Sequence, residues 1–141
     1  MSREEKDMAE DKEILDFLQR LGAALSAGQL KEVSSCWAVP AMVLTDDGAV
    51  LITDPSQIEQ MFEPAVGAYK SSGISSTQPE ILRIDRLTER LIATDVRWPY
   101  LDSDGNRHGA ETSSYILWAD GAGRLLLRVA LSRTADPSPG G

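Results

Sequence analysis

Strand-favouring apolar residues dominate one stretch near the C-terminus, residues 109–133. Two runs rich in Leu, Ile, Val, Trp, Tyr and Thr flank a short polar segment, residues 120–123. Gly121 and Gly123 supply the backbone angles that a tight chain reversal needs. The pattern therefore predicts a long β-hairpin, and the rest of the chain supplies elements that cover one of its faces.

Upstream of this hairpin, apolar residues recur at helical spacing in two N-terminal segments. The first helix is predicted over 3–27, with Gly28 in the position that commonly ends a helix. A short second helix is predicted over 29–37. Pro40 is expected to stop it, because the residue before a proline avoids the helical conformation.

A third helix is predicted to begin at Asp54 and Pro55. The aspartate is a favoured N-cap, and proline is favoured at the first helical position. Pro64 lies inside the same apolar stripe and lacks a backbone N–H, so we expect a kink or break near Glu63.

Alternating or strand-favouring segments separated by turn residues complete the chain. The predicted strands cover 41–45, 49–53, 80–85 and 90–101, followed by the two arms of the hairpin. Helices followed by consecutive strands are typical of an α+β fold, a curved antiparallel sheet with helices packed on one face. We expect one domain over residues 1–135 and a flexible tail over 136–141.

The charge of the chain excludes several classes of partner. Fourteen basic and 22 acidic residues among 141 give a net charge of −8. Neither nucleic acid nor an anionic membrane surface is expected to bind, since both need a basic footprint.

One cysteine, Cys36, and one histidine, His108, offer no disulfide and no metal cluster, so we expect Cys36 to be a core residue and no cofactor to be bound. The charged N-terminus has no apolar run behind it, which favours the cytoplasm, and the general character of the chain favours a bacterial source.

Two stretches resemble a known family. Residues 19–38, QRLGAALSAGQLKEVSSCWA, look like a first helix ending at Ala-Gly, followed by a short helix that ends in an aromatic residue. Residues 116–131, ILWADGAGRLLLRVAL, look like a final strand, turn and strand. Both resemble the NTF2-like superfamily, the SnoaL-like or ketosteroid-isomerase-like α+β cone with a cystatin-like fold. The resemblance implies a curved sheet wrapped around three helices, a conical apolar pocket and a homodimer. The fold hosts enzymes, binding proteins and assembly domains alike.

The resemblance places nine residues in the expected pocket. They are Trp37, Thr45, Phe62, Val96, Trp98, Glu111, Ser113, Tyr115 and Arg128. Together they would form aromatic walls with a few polar groups, as small-molecule sites usually do. Glu111 and Arg128 could pair inside the pocket, since a buried charge needs a partner.

The catalytic patterns of the related enzymes are not matched. The positions that correspond to the isomerase acid and base read Leu21, Thr45 and Tyr115, and neither Leu21 nor Thr45 can do that chemistry. Asp95 and Arg97 resemble part of an epoxide-hydrolase-like site, but their order is reversed and the resemblance places them on the face away from the pocket. An ion pair on the sheet surface is the simpler interpretation.

Two interpretations of the hairpin remain open. Simple alternation would turn Leu125, Leu127, Val129 and Leu131 toward the helices. The resemblance instead turns this row outward, with Ile116 and Trp118 beside it. That surface would then need a second subunit to cover it, and a twofold dimer is the expected closure.

Three functions follow from these observations. The first is a homodimer that binds a small, mostly apolar ligand. The second is a SnoaL-like isomerase, cyclase, dehydratase or hydrolase that uses Tyr115, Glu111 and Arg128 as unfamiliar acid/base residues. The third is an interaction or assembly domain with a filled core and no ligand.

Overall fold

The computed structural model describes residues 3–136 and the side chains of residues 11–132. The helices are α1 (Arg3–Ser26), α2 (Leu30–Ser35) and α3 (Pro55–Ser71). The strands are β1 (Trp37–Thr45), β2 (Gly48–Ile52), β3 (Ser76–Thr77), β4 (Glu80–Arg86), β5 (Leu91–Leu101), β6 (Arg107–Ala119) and β7 (Leu125–Asp136). The α+β prediction is confirmed. The tail predicted for 136–141 lies, from residue 137 on, outside the described residues.

Helix α1 supplies the largest helical share of the core. Ile14 and Leu18 are fully buried, and Leu21 is nearly so, which matches the predicted apolar stripe. Gly28 has a φ of 72°, the left-handed conformation expected at a helix end. The Gln29 N–H then donates to the carbonyl of Ala24 at 2.9 Å, which satisfies one of the last carbonyls of the helix.

The second helix is shorter than predicted. It ends at Ser35, and Trp37 already begins strand β1. Pro40 therefore does not stop a helix but lies inside β1. Its missing N–H is tolerated there because the pairing of β1 with β7 is irregular between Trp37 and Met42.

Helix α3 begins as predicted and continues past the predicted break. The Asp54 carboxylate accepts the Ser56 N–H at 2.8 Å, and the Gln57 side chain accepts the Asp54 N–H at 2.9 Å. This reciprocal arrangement is a capping box. Pro64 lies inside the helix but is exposed, so water can reach the carbonyl that lacks its helical partner.

The sheet has the strand order β2-β1-β7-β6-β5-β3, with β4 also paired to β5. Sequential strands pair antiparallel, as expected for hairpins. Strand β1 instead pairs parallel with β7, so the sheet is mixed rather than purely antiparallel. The pairing of β1 with β7 joins the β1/β2 hairpin to the β6/β7 hairpin and completes a single sheet.

The C-terminal hairpin contains a β-bulge that changes which of its residues face inward. Leu117 pairs with Leu127 and Ile116 with Val129, so Arg128 is an extra residue without an opposite partner. Leu127 is fully buried in the core. Because the alternation restarts after the bulge, Ala130 faces the same side as Leu127, whereas Val129 faces the outside.

The bulge corrects both interpretations of the leucine row. Leu125 and Leu127 pack against the core on the inner face. Val129 pairs with Ile116 on the outer face, whereas Leu131, which pairs with Ser114, also borders the cavity. The row is therefore divided between the two faces, and Leu125 and Leu127 do not belong to the predicted dimer surface.

No helix within residues 3–136 is both long and apolar enough to cross a membrane.

Candidate functional site

A cavity of about 250 Å³ lies between the helices and the inner face of the sheet. Helices α1 and α3 form one side, and strands β1, β5, β6 and β7 form the other. The lining residues are Leu21, Leu25, Trp37, Val43, Met61, Phe62, Ala65, Tyr69, Thr77, Trp98, Glu111, Ser113, Tyr115, Leu127, Ala130, Leu131 and Ser132. Most of the wall is apolar, and the polar groups gather at one end.

Aromatic and aliphatic side chains form the apolar part of the wall. Trp37 and Phe62 pack with ring centroids 6.2 Å apart and planes tilted by 52°. Within the described residues, the Trp37 indole N–H has no hydrogen-bond partner although it is buried. A buried donor without a partner is unfavourable, so packing rather than hydrogen bonding holds this ring in place.

Glu111 forms the polar end of the cavity. One of its carboxylate oxygens accepts the Tyr100 hydroxyl at 2.7 Å, and the other accepts the Ser132 hydroxyl at 3.1 Å. Nearby, the Trp98 indole N–H donates to the Tyr115 hydroxyl oxygen at 2.8 Å. The rings of Tyr69 and Tyr100 pack with centroids 5.7 Å apart. All three tyrosines of the chain therefore meet at this end.

The tyrosine hydroxyls are held in their protonated form. Burial, together with the negative charge of Glu111, raises the pKa of Tyr69 to about 12. Burial outweighs the hydrogen bonds to Ser113 and Trp98 and raises the pKa of Tyr115 to about 12. The pKa of Tyr100 is raised by burial and by its hydrogen bond to Glu111. At neutral pH these groups act as hydrogen-bond donors and not as bases.

Six of the nine residues predicted for the pocket line this cavity: Trp37, Phe62, Trp98, Glu111, Ser113 and Tyr115. The other three lie elsewhere. Thr45 is exposed at the end of β1, beside the turn into β2. Val96 faces inward but is completely buried in the core, away from the cavity wall.

Arg128 lies on the outer face, so the expected pair with Glu111 is wrong. Its guanidinium donates to the Pro40 carbonyl at 2.8 Å and lies 4.5 Å from the centre of the Trp118 ring. The bulge explains the error: the resemblance placed Arg128 on the cavity side with Ala130, and the alternation that brings Ala130 there is interrupted at Arg128.

The residues that resembled an epoxide-hydrolase site do not reach the cavity. Asp95 accepts the Ser114 hydroxyl at 2.7 Å and lies 3.7 Å from the Arg83 guanidinium. Arg97 lies 3.8 Å from Glu80. These are cross-strand pairs on the outer face of the sheet, opposite to Glu111.

The structure adds cavity residues that pattern reasoning missed. Tyr69 continues the apolar stripe of α3 beyond Phe62, and this periodicity was the available signal. Thr77 comes from β3, a two-residue strand that has no detectable pattern. Leu127 lies on the face opposite to the one that the resemblance predicts, because a bulge leaves no mark in the alternation.

Cys36 and the acidic residues offer no further site. Cys36 is fully buried and its thiol lies 3.4 Å from the Arg20 guanidinium. Within the part of the chain that the structure describes, no group of three or more His, Cys, Asp or Glu side chains could hold a metal ion.

Solved structures with the same fold include several proteins of unknown function. A cystatin-like domain from Nostoc punctiforme is 13% identical, with a TM-score of 0.66 over 88% of this chain and 76% of that one. A protein from Mycobacterium tuberculosis is 8% identical, with a TM-score of 0.68 over 96% and 77%. An NTF2-like protein from Shewanella oneidensis is 13% identical, with a TM-score of 0.65 over 86% and 97%. These identities show a common fold and nothing about activity.

A comparison with curated proteins finds no significant match. Residues 10–134 match the family described as "NTF2-like protein (DUF6841)". Since this match spans nearly the whole folded chain, and the solved structures share the same architecture, the protein belongs to this NTF2-like family.

Proposed function

We propose that the protein binds a small, mostly apolar ligand in the cavity between the helices and the sheet. The supporting observation is the cavity itself, about 250 Å³ with largely apolar walls and polar groups at one end. Ligand sites usually combine these features. An apolar cavity of about 150 Å³ can hold benzene, so this cavity suits a ligand with one aromatic ring.

A thermal-shift measurement with small aromatic compounds tests this function. A bound ligand at about 100 times its Kd stabilises the native state by about 2.7 kcal/mol, which corresponds to a Tm increase of about 6–10 °C for a domain of this size. Ala130 lines the cavity beside Tyr115, its neighbour on the adjacent strand. Ala130→Leu should therefore fill part of the space and abolish the shift, each variant being compared with its own unliganded Tm.

Ala93→Leu is the matched control for Ala130→Leu. Ala93 pairs with Ile116 on the outer face of β5, so the same enlargement there leaves the cavity unchanged and the ligand shift should persist. Binding that survives in Ala130→Leu, or the absence of any shift for the wild-type protein across the compounds, would contradict the proposed function.

We further propose that the outer face of the sheet forms a homodimer contact. Val129 pairs there with Ile116 on one side and Met42 on the other. Met42 and Leu51 expose 37% and 58% of their surface in the isolated chain. A second copy related by a twofold axis would remove this apolar surface from water. Trp118, which pairs with Leu126, extends the same face.

The dimer can be tested by sedimentation. We expect the wild-type protein to sediment at twice the mass of the chain. Val129→Lys should yield a monomer, because the interface would bury an unpaired charge. Leu87→Lys, in the exposed loop after β4, introduces the same charge away from this face and should remain dimeric. A monomeric wild-type protein would refute the dimer.

A further inference from the structure

The carboxylate of Glu111 retains unused hydrogen-bonding capacity inside the cavity. Each of its oxygens accepts one hydrogen bond, from Tyr100 or from Ser132. A carboxylate has about four acceptor positions, so roughly half of them remain available to a ligand. The two existing bonds hold the side chain against the cavity wall, which reduces the ordering cost of binding.

No basic side chain among the described residues forms a salt bridge with Glu111. Arg128, the expected partner, lies on the other face of the sheet. Glu111 is half-buried beside apolar walls. A half-buried carboxylate that has no cationic partner among the described residues attracts a positively charged ligand.

Aromatic rings surround the same end of the cavity. Tyr69 packs against Tyr100, and Trp98 packs edge-on against Tyr115 with centroids 6.5 Å apart. The faces of such rings attract cations through their quadrupole. A carboxylate among aromatic rings is thus complementary to an organic cation with an apolar body.

We propose that the natural ligand of this cavity is a small protonated amine with an aromatic or apolar body, whose ammonium group binds Glu111. This inference rests on the proposed function, since it names the chemical class that the same cavity accepts. A carboxylate ligand would be repelled by Glu111. A neutral ligand without a donor group would leave the free acceptor positions of Glu111 unoccupied, and a neutral hydroxyl would donate to them without balancing the negative charge.

Three compounds of nearly equal size test this inference at neutral pH: benzylamine (a cation), benzyl alcohol (neutral) and benzoate (an anion). Calorimetric titration should give an affinity for benzylamine about tenfold or more above that for benzyl alcohol, because both compounds can donate to the carboxylate but only the ammonium group adds the attraction between opposite charges in a half-buried site. Benzoate should bind most weakly.

Glu111→Gln keeps the size of the side chain and an acceptor oxygen but removes the charge. We expect it to bring the ratio of the benzylamine and benzyl alcohol affinities to about one, because the charge supplies the preference. Glu89→Gln, in the exposed segment between β4 and β5, makes the same change away from the cavity and should keep the wild-type ratio.

The outcomes separate the two proposals. If benzyl alcohol or benzoate binds the wild-type protein as tightly as benzylamine does, the amine inference is wrong and the proposed function stands. A preference for benzylamine that persists in Glu111→Gln also overturns the inference. If none of the three compounds binds, the proposed function fails and the inference fails with it. Even if Glu111→Gln does not fold, the ratio of the benzylamine and benzyl alcohol affinities of the wild-type protein tests the amine inference.

Discussion

Leu127→Ala is expected to lower the free energy of unfolding by about 3 kcal/mol, within the range of about 2–5 kcal/mol typical of buried leucines. The Leu127 side chain is fully buried in the core, and its backbone N–H donates to the Cys36 carbonyl at 2.7 Å. The substitution removes three buried carbon atoms and enlarges the adjoining cavity. Urea denaturation of the purified variant measures the effect.

Leu82→Ala is the control for Leu127→Ala. Leu82 lies on β4 and is 47% exposed, so its truncation should change the free energy of unfolding by about 0.5 kcal/mol or less. The loss in Leu127→Ala should also be independent of protein concentration, because the side chain is buried within one chain. A loss that disappears on dilution would place Leu127 at a subunit contact and refute the β-bulge.

Gly22→Ala is expected to destabilise the protein by about 1–3 kcal/mol, although alanine is the better helix former by about 0.5–1 kcal/mol. A Cβ atom at position 22 would lie 2.9 Å from Cζ3 of Trp98 and 3.3 Å from the carbonyl oxygen of Thr77. Trp98 cannot easily move aside, because it is buried and its indole N–H donates to Tyr115. Glycine therefore allows α1 to approach the sheet.

Gly67→Ala on α3 tests the opposite case. No atom lies within 4 Å of a Cβ built at position 67, so only the gain in helix propensity remains. We expect this variant to be more stable than wild type by about 0.5–1 kcal/mol in the same urea measurement. If Gly22→Ala were also stabilising, the close contact between α1, Trp98 and Thr77 would be refuted.

The elements that could be predicted are those with a strong local pattern. The turn between β6 and β7, Gly28 at the end of α1 and the cap at Asp54 all depend on residues close together in the chain. The hairpin, the C-terminal end of α1 and the N-terminal end of α3 are therefore confirmed, whereas the predicted end of α2 is not. The continuation of α3 past Pro64 was not predictable in this way, because it depends on that residue being exposed in the folded protein.

The cavity was predictable in part. The family resemblance places Trp37, Phe62, Trp98, Glu111, Ser113 and Tyr115 in the pocket. The contacts of Glu111 with Tyr100 and Ser132 do not follow from the resemblance, since they join three strands. The resemblance implied that Arg128 lies inside the cavity and could pair with Glu111. The structure instead places Arg128 on the outer face and leaves Glu111 beside aromatic rings.

The sequence by itself determined the secondary structure of the C-terminal hairpin, the composition of its leucine row and the α+β class, because these depend on local propensity and on apolar periodicity. Only the tertiary structure decided which side of the sheet each residue faces. The bulge at Arg128 divides the leucine row, with Leu127 inside and Val129 outside. It does so because the parallel pairing with β1 and the packing of the core determine the register of β7, and neither interaction is encoded within the hairpin itself.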